Sequence, residues 1–267
     1  IFSIISGGED IVLDVYHFTN DLQLTLKKNR NRIILIDDFC KGEYVADVIL
    51  NHAPGLKKEN YNKKNYTEIF LGPKYSIVKS LFTTFKQEKY PIKQGNVVVC
   101  FGGSDSLNLS FETLKLLLKV EVVSSISIIV GAAYKQLKQL EMFSKACNKP
   151  VEVFKGIMTD KMLEVIGQSA LAIVSASTVL YEVIAMNKPV LAGWYVDNQK
   201  LIYDGFVLEG AVKGIGDLKN LNQNNRIIDG CKELLIDEVS VNKMLKEQKR
   251  VIDGKSPERI CQIFDKK

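Results

Sequence analysis

Val97-Val98-Val99-Cys100-Phe101-Gly102-Gly103-Ser104-Asp105 is the stretch whose reading decides the fold. An apolar run without a polar face, stopped by two glycines, reads as a strand covered on both sides. A helical pattern over 109–120 follows it. A second stretch, Ser175-Ala176-Ser177-Thr178, stands between the apolar run 171–175 and a helical pattern over 179–186. Strand ends that feed helix starts are where an open α/β sheet presents its ligand groups. The N–H groups and positive dipole end of a helix start there suit a phosphate.

Working outward, strands are expected at 96–101, 125–131, 151–154, 171–175 and 189–195. Helices are expected at 109–120, 134–147, 159–167 (capped by Thr159), 179–186 and 199–209. This alternation predicts a parallel sheet with helices on both faces. From about Asn220 the pattern is helical to the end. Upstream, strands are expected at 11–14, 32–38 and 45–50, with a helix capped by Thr19 running to about Asn29. A loop over 53–70, a short strand at 69–73 and a helix over 76–85 complete the segment. The division expected is therefore a first Rossmann-like domain over 1–85, a linker over 86–94 around Pro91, and a second domain over 95–267. Three early strands are few for a doubly wound domain. The chain also opens on Ile1. The first domain is thus expected to be N-terminally incomplete, its missing strands lying upstream.

Composition narrows the class. The 267 residues are 46% apolar, and the mean hydropathy is +0.01. A net charge of +5 with scattered lysines gives no basic stripe for nucleic acid. No apolar run approaches the roughly 20 residues of a membrane span, and no signal peptide is visible. Five widely spaced cysteines contain no C-x-x-C pair, so neither a zinc site nor a disulfide framework is expected. A reducing cytoplasm is the simplest setting. No metal or cofactor is expected.

The candidate chemistry sits at strand ends. Gly102, Gly103 and Ser104 form either a phosphate cradle or a plain tight turn, with Asp105 read as a helix-side cap or a loop residue. Ser177 and Thr178 either bind a pyrophosphate or cap the helix they open. Glu182, one turn further on, either accepts both hydroxyls of a ribose or faces solvent. Asn198 and Gln199 either reach a sugar or diphosphate with their amides, or Asn198 caps the next helix. His17 and His52, the two histidines, each follow a strand, where an acid–base group or a structural imidazole would stand.

In order, these pieces resemble the UDP-sugar hydrolases of the pseudaminic acid pathway, which have the two-Rossmann-domain GT-B fold. In the second domain they are similar to the undecaprenyl-linked muramyl-peptide N-acetylglucosaminyltransferases. The pieces are Leu13-Asp14-Val15-Tyr16, Ile36-Asp37-Asp38, Ala46-Asp47-Val48-Ile49-Leu50-Asn51, Leu71-Gly72-Pro73-Lys74-Tyr75, Phe101-Gly102-Gly103-Ser104-Asp105, Asn108-Leu109-Ser110, Ile173-Val174-Ser175-Ala176-Ser177-Thr178, Tyr181-Glu182, Asn187-Lys188-Pro189, Asn198-Gln199 and Ile252-Asp253-Gly254 with Arg259-Ile260. The resemblance implies cleavage of a UDP-linked diacetamido-trideoxy sugar at its anomeric C–O bond, releasing UDP. It implies that Glu182 holds the ribose, Ser177 and Thr178 the pyrophosphate, and Gly103 and Ser104 the sugar end. Asn198 and Gln199 would meet the sugar, and Tyr16 would face the anomeric centre. Two departures stand out. The family's glycine-rich loop with its histidine base is expected upstream of Ile1, and His17 does not occupy its place. The family's arginine and glutamate before a phenylalanine are replaced by Val78-Lys79-Ser80-Leu81-Phe82, which points to a different sugar. A glycosyltransferase using the same donor site, or a nucleotide-sugar binding domain without chemistry, are the alternatives.

Overall fold

The computed structural model describes residues 7–14, 19–223 and 225–265. Residues up to Ile77 and from Lys255 onward form one unit, and Val78–Gly254 forms a second.

The first unit contains Asp10–Leu13 (β1), Asn20–Lys28 (α1), Arg32–Ile36 (β2), Glu43–Tyr44 (β3), Val48–Asn51 (β4), Asn62–Lys63 (β5) and Glu68–Leu71 (β6). Strands β1, β2, β4 and β6 lie side by side in that order. All are parallel, with Leu13 beside Leu35, Leu35 beside Ile49 and Ile49 beside Ile69. Helix α1 starts as expected: the Thr19 hydroxyl accepts the Leu22 N–H at 3.3 Å. The segment read as loop contributes β5, which pairs with β3 in a separate small sheet.

The second unit contains Ser80–Thr83 (α2), Lys93–Cys100 (β7), Leu109–Leu117 (α3), Ser125–Val130 (β8), Leu137–Lys145 (α4), Val151–Lys155 (β9), Thr159–Gln168 (α5), Ser169–Ser175 (β10), Thr178–Ala185 (α6), Val190–Trp194 (β11), Asp197–Leu208 (α7), Lys213–Asp217 (β12), Arg226–Ile236 (α8) and Glu238–Val251 (α9). Its strands run β9-β8-β7-β10-β11-β12 across one parallel sheet. Within the unit that is the order 3-2-1-4-5-6 of a doubly wound dinucleotide fold. The sheet's centre is fully buried: Val97, Val99, Leu171, Ile173 and Leu191 are all 0% exposed. The order reverses between β7 and β10, which opens a crevice at their carboxyl ends.

Four expectations are corrected. The helix expected over 76–85 shrinks to the single turn of α2. The hydroxyls of Thr83 and Thr84 both bond the Ser80 carbonyl, at 3.0 and 2.9 Å, and compete with the next helical turn. Thr159 does not cap α5; it is the first helical residue after Met158, and its hydroxyl accepts the Lys79 ammonium at 2.8 Å. The sequence 86–94 is not a linker between units but part of the second one, since β7 begins at Lys93. Finally, Ser256–Asp265 (α10) belongs to the first unit rather than to the second. Ile263 packs with Ile34, Val48 and Leu50, the Arg32 guanidinium donates to the Ile263 carbonyl at 2.6 Å, and the Ser256 hydroxyl donates to the Ser76 carbonyl.

Candidate functional site

Along the carboxyl ends of the second unit's strands runs a cleft of about 420 Å³. The chain segments that follow β7, β8, β9, β10 and β11 all contribute to its lining. Its floor is backbone. Gly102 has φ +89°, in the left-handed region that favours glycine. Gly131, just past β8, lies so close to the neighbouring turn that a Cβ there would sit 2.1 Å from the Gly103 carbonyl oxygen. The loops after β7 and β8 therefore touch backbone to backbone.

Helices α3, α5, α6 and α7 all begin around this floor, and of these α3 is closed by a carboxylate of the chain while α5, α6 and α7 have no side-chain cap. Asp105 is 1% exposed, and its carboxylate accepts the N–H groups of Leu109 at 2.7 Å and Ser110 at 2.9 Å. The start of α3 thus already holds an anion of the chain's own. Helix α6 has no side-chain cap. The Ser177 hydroxyl pairs with that of Ser175 at 3.1 Å instead. The N–H groups of Thr178 and Val179 bond no group among the described residues, and both residues line the cleft. An external anion therefore fits α6 and not α3.

One turn into α6, Glu182 lines the same cleft. It is 8% exposed, and among the described residues no donor bonds its carboxylate. Burial pushes the carboxyl up to about 7, against the opposing pull of the Lys79 ammonium. A desolvated acceptor without a protein donor is suited to vicinal hydroxyls. Gln199 is 6% exposed. Its carbonyl oxygen accepts the Tyr195 N–H at 3.1 Å, and its amide NH₂ also bonds the Tyr195 hydroxyl, so Gln199 is held against Tyr195 at the edge of the cleft. The Tyr195 hydroxyl donates to the Phe101 carbonyl at 3.1 Å, tying the loop after β11 to the loop after β7. Burial raises the Cys100 thiol to about 11, so this cleft residue offers no thiolate at neutral pH.

The structure brings Gly102, Gly103, Ser177, Thr178, Glu182 and Gln199 into one cleft. Ser104 is exposed and Asn198 half-buried, and neither is part of its lining. Tyr16 and His17 lie outside the described residues. Burial lowers the His52 imidazole to about 4, so it is neutral at pH 7. Sequence reasoning missed Tyr195, Gly131 and Ile157. Tyr195 and Gly131 each stand just past a strand, so the strand-end rule that found Gly102 would have found them too. Among the described residues no group of three or more His, Cys, Asp or Glu is placed to hold a metal. No helix among them is long and apolar enough to cross a membrane.

The chain matches no protein-family model. It is 26% identical over 195 residues to the UDP-2,4-diacetamido-2,4,6-trideoxy-beta-L-altropyranose hydrolase of Campylobacter jejuni, which covers 72% of this chain and 68% of that protein. An uncharacterized protein of Methanocaldococcus jannaschii is 24% identical over 219 residues, covering 78% of this chain; the match spans only 45% of that relative's length. Among solved structures, MurG of Acinetobacter baumannii superposes with a TM-score of 0.63 at 12% identity, covering 92% of this chain and 71% of MurG. The fold is that of the GT-B glycosyltransferases, built from two Rossmann-like domains. The sequence similarity to the hydrolase is distant.

Proposed function

We propose that the chain holds a UDP-sugar in the cleft of its second unit, and that the protein hydrolyses a UDP-linked diacetamido-trideoxy sugar in nonulosonic acid or surface polysaccharide biosynthesis. The observation that carries this reading is the meeting of two unsatisfied groups in one cleft. The uncapped start of α6 needs an anion, and one turn away the Glu182 carboxylate needs donors. A nucleoside diphosphate supplies both, with its pyrophosphate on the Thr178 and Val179 N–H groups and its ribose hydroxyls on Glu182. The distant similarity to the Campylobacter hydrolase supports UDP as the carrier.

In this reading a water attacks the anomeric carbon and the C1–O bond to UDP breaks. Negative charge grows on the leaving diphosphate, where the dipole and N–H groups of α6 stabilise it. The Gln199 amide and the Gly102-Gly103 turn face the sugar. Tyr16 is assigned to the anomeric centre by the resemblance alone, and His17 is kept as a candidate acid–base group. Normal turnover by His17→Ala would remove it from the reaction.

Calorimetric titration with UDP, with GDP and dTDP as controls, tests the site. Selective UDP binding is expected, and no binding of any nucleotide would overturn the reading. The runner-up is a glycosyltransferase with the same donor site, favoured by the likeness to MurG. UDP release from the donor sugar alone identifies a hydrolase. Release only with an acceptor present identifies a transferase.

A further inference from the structure

The first unit has a cavity of its own, about 510 Å³, lined by residues at the carboxyl ends of β1 and β2. Its carboxylates come from Leu13-Asp14 and Ile36-Asp37-Asp38, pieces that nucleotide binding does not use. They are not equivalent. Asp37 is fully engaged, accepting the Cys40 N–H at 2.9 Å, the Tyr61 hydroxyl at 2.9 Å, the Tyr44 hydroxyl at 3.2 Å and the Asn51 amide at 3.1 Å. Glu43 takes the Asn20 amide at 3.0 Å and the Lys64 ammonium at 3.6 Å. Asp14 and Asp38 have no hydrogen bond or ion pair among the described residues, yet both line the cavity. Burial and the charges of Asp14 and Asp37 push the Asp38 carboxyl up to about 6, so these carboxylates repel one another across the space.

An independent observation comes from α1. Gln23 is 1% exposed and lines the same cavity. Its carbonyl oxygen is fixed by the Val45 N–H at 2.9 Å. Its amide NH₂ therefore points away from Val45 and has no acceptor among the described residues. A ligand oxygen in the cavity would supply one. Lys41 is the one cation among the described lining residues, against Asp14, Asp37, Asp38 and Glu43, and this surplus of negative charge disfavours a phosphate or carboxylate ligand. It favours a cation, and the Gln23 donor asks for an oxygen on the same molecule.

We propose that this cavity is a second binding site, for an amino sugar whose ammonium lies between Asp14 and Asp38 and whose hydroxyl oxygen accepts from the Gln23 amide. It does not depend on the nucleotide reading of the second unit.

Glucosamine is the probe, titrated calorimetrically into the whole chain near neutral pH, with glucose and N-acetylglucosamine as uncharged controls. Glucosamine is expected to bind at least tenfold more tightly than either control. Asp38→Asn, and separately Asp14→Asn, should weaken it at least tenfold while UDP affinity stays unchanged and the thermal unfolding midpoint does not fall. Equal binding of the three sugars, no binding of any, or full binding by both Asn variants would overturn the proposal. UDP titration of the same samples reports on the second unit by itself, so failure of one site is distinguishable from failure of the other.

Discussion

At Glu182 stability and ligand binding pull in opposite directions. Its carboxyl is raised from an ordinary 4.5 to about 7, so the folded chain holds a proton there more tightly than the unfolded chain. The stabilisation from that proton is complete below pH 4.5 and is lost as pH climbs through about 7. Above that, the buried carboxylate costs on the order of 3 kcal/mol. Glu182→Gln should therefore raise the unfolding free energy at pH 8, read by chemical denaturation, while leaving stability at pH 4 nearly unchanged. The same substitution should weaken UDP by roughly ten- to hundredfold, the equivalent of about 1.5–3 kcal/mol for a charge-assisted hydrogen bond. Because the ionised form accepts the ribose, wild-type affinity should fall as pH drops below about 7. Calorimetry in buffers of different ionisation enthalpy should show proton release on binding below that pH. A flat pH profile would remove Glu182 from the site.

At the scale of elements, the contrast between α3 and α6 organises the cleft. Both follow central strands, and both stand where a phosphate could dock. Asp105 closes α3 with two hydrogen bonds, whereas α6 is left uncapped. Asp105→Ala should cost about 1–2 kcal/mol of stability, the usual loss for an N-cap. It should leave UDP affinity unchanged, which calorimetry on the folded variant would check. The turn between β7 and α3 depends on its neighbour. Gly131→Ala forces a methyl into the Gly103 carbonyl. It should destabilise the second unit by about 1–3 kcal/mol, as overpacking does, and should weaken the UDP-sugar more than UDP by displacing the Gly102-Gly103 turn. Unchanged stability and affinity would mean that the close approach of these two loops has no role.

For the whole molecule, the last helix completes the unit that contains the earliest described residues. Helix α10 covers Ile34, Val48 and Leu50 through Ile263. Ending the chain at Gly254 should expose this apolar face and lower the stability of the first unit, with the second unit's UDP affinity unchanged. Amide hydrogen exchange separates the two: faster exchange is expected in β2 and β4, and unchanged exchange in β7 and β10. Equal protection of all four strands would show that α10 contributes nothing to that core.

The alternation of elements and the strand-end location of the site were legible in the sequence because buried parallel strands need continuous apolar runs. Val97–Phe101, Ile126–Val130 and Leu171–Val174 carry that signal without help from neighbours. Strand β12 was not legible, since Gly214 and Gly216 interrupt its apolar character and only pairing with β11 makes it extended. The partner of α10 was equally hidden: its amphipathic pattern calls for a core but does not say which. Within the candidate site, sequence named the segments but not which of their residues face inward. Gly102 and Gly103 line the cleft and Ser104 does not; Gln199 lines it and Asn198 does not. The sequence by itself determined the segments that meet at the strand ends, through composition and hydrophobic period. Only the tertiary structure decided which helix start is closed by a carboxylate and which carboxylate goes unpaired, because both depend on hydrogen-bond partners that the fold assigns.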